Sequence, residues 1–275
     1  MLSYQHGYHA GNFADVIKHV TLTRLINYMT QKDKPVFYLE THSGSGLYDL
    51  RDSKSGKTGE YHQGIGLLWP QRKQWPDVFS CYRHSLINVN PNRELRYYPG
   101  SPAIAIEHFR SQDRLFFCEL HPQEFACLQR LPHDGKRVFL SESDGISRLT
   151  SQLPPPERRG LIFIDPSYEV KTEYKHIPQA INSAFQRFAT GIYCLWYPLV
   201  DPYCHQQLLR EMNKIPVKNK LRIEFSLTPT PGSGMWGCGL WIINPPYVLA
   251  EEMKVVLTCL KSFFNPKQAS FLLES

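Results

Sequence analysis

The segment Gly160-Leu161-Ile162-Phe163-Ile164-Asp165 stays apolar until it meets a carboxylate, and Pro166, Ser167 and Tyr168 follow at once. A run with no polar face fits a strand buried on both sides, the form strands take in a parallel sheet covered by helices. Six more short runs share this form, at 35–40 (PVFYLE), 115–120 (LFFCEL), 137–142 (RVFLSE), 191–197 (GIYCLWY), 221–227 (LRIEFSL) and 238–244 (CGLWIIN). Helical patterns lie between them at 13–30, 122–131, 144–153, 172–188, 203–213 and 249–264, with Asn12 as N-cap of the first and Pro122 in the tolerated first turn of the second. Strands alternating with helices predict an α/β fold built on one doubly wound, seven-stranded, mostly parallel sheet.

Two features modify that plan. The last two runs are joined by SLTPTPGSGMWG, rich in proline and glycine and without helical pattern, so the seventh strand is expected to run antiparallel to the sixth. The stretch between the first and second strands is far longer than one crossover helix needs. Residues 47–100 are therefore expected to form a helical insertion, with helices over 61–69 and 77–87, inside a single domain spanning 1–275. Ser101-Pro102 would then cap the crossover helix.

Composition narrows the partners. Thirty-one basic against twenty-five acidic residues give a formal charge of +6, which favours an anionic partner over a neutral metabolite. The seven cysteines are scattered with no C-x-x-C pair, so they read as thiols in a reducing compartment, and no metal site is expected. The opening MLSYQHGYHAGNF has neither a basic start nor an apolar core, and no run reaches membrane-spanning length, so a cytoplasmic protein is expected. No amphipathic seam is left once the sheet is covered, which predicts a monomer.

In open parallel sheets ligands bind beyond the carboxyl ends of the strands. Here those ends read Glu40-Thr41-His42-Ser43-Gly44-Ser45-Gly46, Glu119-Leu120-His121-Pro122, Glu142-Ser143-Asp144-Gly145 and Asp165-Pro166-Ser167-Tyr168. Gly44 and Gly46 let backbone approach a ligand closely. Glu119 is placed to accept two ribose hydroxyls, and Asp144 to receive the exocyclic amine of an adenine ring. No lysine follows Gly46, which disfavours nucleoside triphosphate hydrolysis, and the G-x-G-x-x-G pattern of dinucleotide folds is incomplete.

Asp165, Pro166 and Tyr168 add a second half to this site. An aromatic amine is a weak nucleophile because its lone pair is delocalised into the ring. A carboxylate and a backbone carbonyl that each accept one of its N–H groups hold the lone pair toward an electrophile, while a tyrosine stacks on the base. Proline suits the middle position, having no N–H and a fixed φ. That arrangement serves methylation of an amino group such as adenine N6. Asn244-Pro245-Pro246-Tyr247 matches the same pattern as a string, but an antiparallel last strand puts it at the opposite edge of the sheet, about 20 Å away.

With these residues assembled, the chain resembles the RlmJ family, S-adenosylmethionine-dependent methyltransferases acting on adenine N6 in 23S ribosomal RNA. The resemblance rests on MLSYQHGYHAGNFADVIKH, YLETHSGSG, KTGEYHQGI, LRYYPGSP, ELHP, SDG, RRGLIFIDPSYE, RFATGIYCLWYP and INPPY. It implies a Rossmann-like class I methyltransferase fold with a helical subdomain after the first strand. It further implies that His19, His42, Ser101, Glu119, Asp144, Gly145 and Asp165 line the cofactor pocket, that Asp165 is also catalytic, and that Tyr4, with Lys18 beside it, meets the RNA. The family reads D-P-P-Y where this chain has Ser167, a change that adds an N–H and frees the backbone. Activity is expected to survive it.

On the residues alone two alternatives stand: an adenine-N6 methyltransferase of duplex DNA, and a non-catalytic nucleic-acid-binding protein of DNA uptake or utilisation. Arg24, Lys32, Lys34, Lys54 and Lys57 would steer phosphates in any of the three.

Overall fold

The structure, a computed structural model, describes residues 5–228 and 234–275. Along the chain run α1 (Phe13–Thr30), β1 (Phe37–Glu40), β2 (Leu47–Asp49), α2 (Ser53–Thr58), α3 (Ile65–Leu68), α4 (Ser80–Val89), β3 (Tyr97–Pro99), α5 (Ser101–His108), β4 (Arg114–Glu119) and α6 (Pro122–Leu128). There follow β5 (Val138–Glu142), α7 (Gly145–Ser151), β6 (Gly160–Ile164), α8 (Glu173–Arg187), β7 (Ile192–Leu199), α9 (Pro202–Asn213), β8 (Lys220–Ser226), β9 (Gly237–Ile243), α10 (Leu249–Phe263) and β10 (Ser270–Glu274).

The main sheet has the order β10-β8-β9-β7-β6-β1-β4-β5. From β7 to β5 every pairing is parallel, whereas β9 runs antiparallel to both β7 and β8. The Rossmann-like, mostly parallel α/β sheet expected from the sequence is therefore present, with one addition. An eighth strand, β10, pairs antiparallel with β8 at the edge. Its five residues follow the last helix after a short turn, too short a run to stand out by periodicity.

All five residues of β6 are buried, as their unbroken apolarity requires. Successive residues face opposite layers. Leu161 and Phe163 join the core under α1 and α10, and Ile162 and Ile164 join the core under α7, α8 and α9. Helix α1 is buried nearly all round, and its start is fixed by Asn12, whose side chain accepts the Asp15 N–H at 3.0 Å.

The insertion is closed at its base by a two-stranded antiparallel ribbon in which Tyr48 pairs with Tyr98. Of the two helices expected there, the first, 61–69, is broken into the 3-10 segments Glu60–Gln63 and Trp69–Gln74 around the single turn α3, whereas the second, 77–87, forms as the 3-10 turn Asp77–Phe79 running into α4. Gly64, with φ −115° and ψ −114°, interrupts the first. Its apolar side chains, among them Trp75, Phe79 and Tyr82, continue the core that holds α1. Gly100, rather than Ser101, occupies the N-cap place of α5.

Among the described residues no helix is long and apolar enough to cross a membrane.

The insertion seats on the start of α1 through Gly64. A Cβ there would stand 2.1 Å from the Gly11 carbonyl oxygen, the same oxygen that accepts the Ile65 N–H at 2.8 Å. Gly64→Ala is expected to destabilise the fold by about 2 kcal/mol, read as a lower urea midpoint. An unchanged midpoint would show that this close approach does not hold the insertion.

Candidate active site

A cavity of about 640 Å³ opens at the carboxyl ends of β1, β4, β5 and β6. Lys18, His19, His42, Gly44, Ser101, Glu119, Asp144, Gly145, Asp165, Pro166 and Tyr168 all line it. Gly46 does not. Its φ of +76° turns the chain, its carbonyl accepts the Gly100 N–H at 2.9 Å, and a Cβ there would meet Leu131 at 2.3 Å, so its place is structural. Tyr4 lies outside the described residues.

One half of the cavity is built by backbone. Gly44, with φ +60°, donates its N–H to Glu119 Oε2 at 2.7 Å, and the His121 N–H donates to Glu119 Oε1 at 2.7 Å. Burial raises the Glu119 pKa, and those two donors oppose the rise. Gly145 admits no side chain, since a Cβ would stand 2.0 Å from the Thr41 carbonyl oxygen. Asp144 caps α7 by accepting the Ile146 N–H at 3.0 Å and keeps its side chain exposed. His42 pairs with the Thr41 hydroxyl at 2.8 Å, and burial lowers its pKa. His19 pairs with the Tyr98 hydroxyl at 2.8 Å, and burial pulls its pKa down to about 3, so it is neutral at physiological pH.

The other half is built by charge. Lys18 Nζ lies 2.8 Å from Asp15 Oδ1 and 2.6 Å from Asp165 Oδ2, and His6 Nε2 lies 2.9 Å from Asp15 Oδ2. Burial, which disfavours the Lys18 charge, is outweighed by the two carboxylates, and its pKa is raised. Asp15 is likewise held well below the carboxylate range despite burial, by His6 and Lys18. The Lys18 side chain is 4% exposed and sits 5.4 Å from the Trp196 ring centre. The sequence places Lys18 toward RNA; the structure turns it inward, onto Asp165.

Behind the cavity wall Glu40 is wholly buried, accepting hydrogen bonds from the Ser101 and Tyr38 hydroxyls. Tyr168 has φ +54° and lies against Tyr174, with ring centres 4.4 Å apart, so its ring is packed rather than free-standing.

Asn244 lies where the antiparallel topology puts it, at the far edge, donating to the carbonyls of Ala189 and Gly191 at 2.8 Å each. Among the expected basic residues, Arg24 is bound to Glu252, and Lys32 and Lys34 precede β1 at the edge away from the cavity.

A glycine turn, a strand-end glutamate held by two backbone N–H groups, a helix-capping aspartate and an Asp-Pro strand end now share one cavity. The sequence profile of the family described as RsmJ, Ribosomal RNA large subunit methyltransferase D, RlmJ, matches residues 33–274. The chain belongs to this family. Ribosomal RNA large subunit methyltransferase J of Haemophilus influenzae is 41% identical over 269 residues, covering 97% of this chain and 95% of that protein. The protein of the same name from Escherichia coli K12 is 40% identical over 267 residues, with the same coverage. A crystal structure of a Legionella pneumophila protein is 55% identical and superposes with a TM-score of 0.93 over 97% of this chain and 98% of that one. The chain is thus an S-adenosylmethionine-dependent methyltransferase of the RlmJ family.

Its residues fit that cofactor. The Ser43 hydroxyl, buried in the glycine turn and lining the cavity, has no hydrogen-bond partner among the described residues, the mark of a donor awaiting a ligand. Sequence reasoning gave no role to Ser43, Asp15, His6, Trp196 or Glu40. Only Glu40 and Ser43, in the strand end and the glycine turn after it, carried a local signal.

Burial raises the Glu40 carboxyl to about 8 from an ordinary 4.5, against the two hydroxyl donors. The folded chain therefore holds this proton more tightly than the unfolded chain. The stability gained is full below the unfolded value and is lost as the pH rises through the folded one. Glu40→Gln removes that loss, so its unfolding midpoint should rise relative to wild type from about pH 5 to about pH 8. A constant difference across that range would contradict the assignment.

Proposed function

We propose that the protein methylates the N6 amine of an adenine in 23S ribosomal RNA. The observation that carries this reading is the shared cavity: Asp165-Pro166 closes β6 beside the glycine turn, Glu119 and Asp144. Family membership supports ribosomal RNA as the substrate class. On this reading the enzyme is a monomer acting in the cytoplasm, where ribosomal RNA is found.

S-adenosylmethionine, when bound, supplies an electrophilic methyl group. Glu119 would hold its ribose hydroxyls, Asp144 its adenine amine, and Gly44, Gly145, Ser43, Ser101, His19 and His42 the remaining walls. Opposite them, Asp165 and the Pro166 carbonyl accept the two N–H groups of the target amine, and Tyr168 gives its ring to the base. The target base must leave its stack to enter. Lys18 occupies Asp165 Oδ2, which leaves Oδ1 to accept from the amine. The amine becomes acidic only as the new bond forms, so orientation precedes proton loss, and the proton leaves to Asp165 or to water.

Asp165→Ala is expected to lower methyl transfer by about 100-fold or more, because the amine is no longer oriented. Asn244→Ala should leave transfer near wild type and cost about 1 kcal/mol of stability through two lost hydrogen bonds. The two are compared by tritiated methyl uptake into protein-free, unmodified 23S RNA; the reverse pattern refutes the choice of Asp165. Duplex DNA serves as the competing substrate, and preferential methylation of DNA would overturn the RNA reading.

Ser43→Ala should weaken S-adenosylmethionine binding several-fold, measured by calorimetry, as loss of one hydrogen bond requires. Unchanged affinity would show that this hydroxyl does not face the cofactor.

A further inference from the structure

Two loops frame the open side of the cavity. One carries Tyr168-Glu169-Val170-Lys171 from β6 into α8, the other Pro198-Leu199-Val200-Asp201 from β7 into α9. Glu169, Pro198 and Val200 line the cavity. Outside it, Lys171 Nζ meets Asp201 Oδ2 at 3.4 Å and ties the loops together.

Each loop and the start of α9 also expose one large apolar side chain. Val170 is 56%, Val200 41% and Tyr203 72% exposed. The inward face of α9 is Cys204, Leu208 and Met212, and Tyr203 stands off it. Its backbone N–H donates to Asp201 Oδ1 at 2.8 Å, so the ring projects from a capped, fixed helix start. It packs against no other aromatic ring among the described residues.

The occupant follows from the substrate. A base drawn out of its stack into the cavity leaves its neighbours in the strand lying across the rim. An aromatic face accepts any base by stacking, and stacking on exposed aromatics is a main source of single-strand affinity. Charge contributes less here, because Lys171 is matched by Asp201 and Glu169 adds a negative charge nearby. We infer that Tyr203, at the end of the loops that expose Val170 and Val200, is a docking platform for the nucleotide that flanks the methylated adenine. The inference rests on the RNA reading given above.

The test uses an unmodified large-subunit ribosomal RNA transcript with wild type, Tyr203→Ala, Tyr203→Phe and Tyr247→Ala. Tyr247 is 85% exposed and belongs to the loop at the far edge, so it controls for loss of an exposed ring. Tyr203→Ala should raise the RNA KM and the RNA Kd about 10-fold, with kcat at saturating RNA and the S-adenosylmethionine Kd within about 2-fold of wild type. Tyr203→Phe and Tyr247→Ala should match wild type. RNA KM and Kd unchanged in Tyr203→Ala, or an equal loss in Tyr247→Ala, overturns the platform while the RNA reading stands. A wild type that methylates none of the RNA overturns both.

Discussion

The ammonium of Lys18, its side chain almost wholly buried, stands between two carboxylates, 2.8 Å from Asp15 and 2.6 Å from Asp165. Ions removed from water cost several kcal/mol each unless close partners compensate them, and removal of one partner exposes the rest to that cost. The contact therefore fixes the register of α1 over the sheet: a slide of the helix along β6 would part the charges. Because His6, Asp15, Lys18 and His19 all belong to or adjoin α1, the same constraint positions one wall of the cavity. It also holds Asp165 from outside its own loop. That matters in a chain whose Asp-Pro-Ser-Tyr segment lacks a second proline, since the aspartate is anchored by an ion pair where loop stiffness is reduced.

The cavity divides by chemistry. Its glycine-turn side presents backbone and neutral side chains: His19 and His42 are kept uncharged by burial, and the Glu119 carboxylate is already engaged by two backbone N–H groups. Its β6 side presents a carboxylate neutralised by an ammonium. A cationic sulfonium donor and a neutral aromatic amine would meet between them, with Asp165 as the acidic group common to both. Glu40 lies behind this meeting point as a buried carboxyl, held by Ser101 and Tyr38, which spares the wall a further negative charge while it remains protonated.

Most of the sheet is legible because its strands are short and mostly apolar, and because the carboxyl edge of a parallel sheet gathers the polar residues that close or follow β1, β4, β5 and β6. That edge brings Glu119, Asp144 and Asp165, remote in sequence, together by their strand-end positions alone. The antiparallel direction of β9 is legible from its connection to β8 alone, and it separates Asp165 from Asn244. What sequence did not disclose was long-range pairing of single polar atoms. Lys18 and Asp165 are 147 positions apart, and no local period encodes their contact. The same holds for the unpartnered Ser43 hydroxyl, visible only once its surroundings are built. Within the insertion only the first expected helix is broken, because Gly64 leaves helical dihedrals inside an apolar spacing that is otherwise helical, and β10 escapes detection because five residues carry too little pattern.

If the carboxylate closing β6 shares its cavity with the methyl donor, a crystal structure with S-adenosylhomocysteine, the demethylated product, will show the thioether sulfur facing Asp165, the ribose hydroxyls on Glu119 and a hydrogen bond from Ser43. Product bound elsewhere, or an Asp165 carboxylate walled off from the sulfur by protein, would rule that arrangement out.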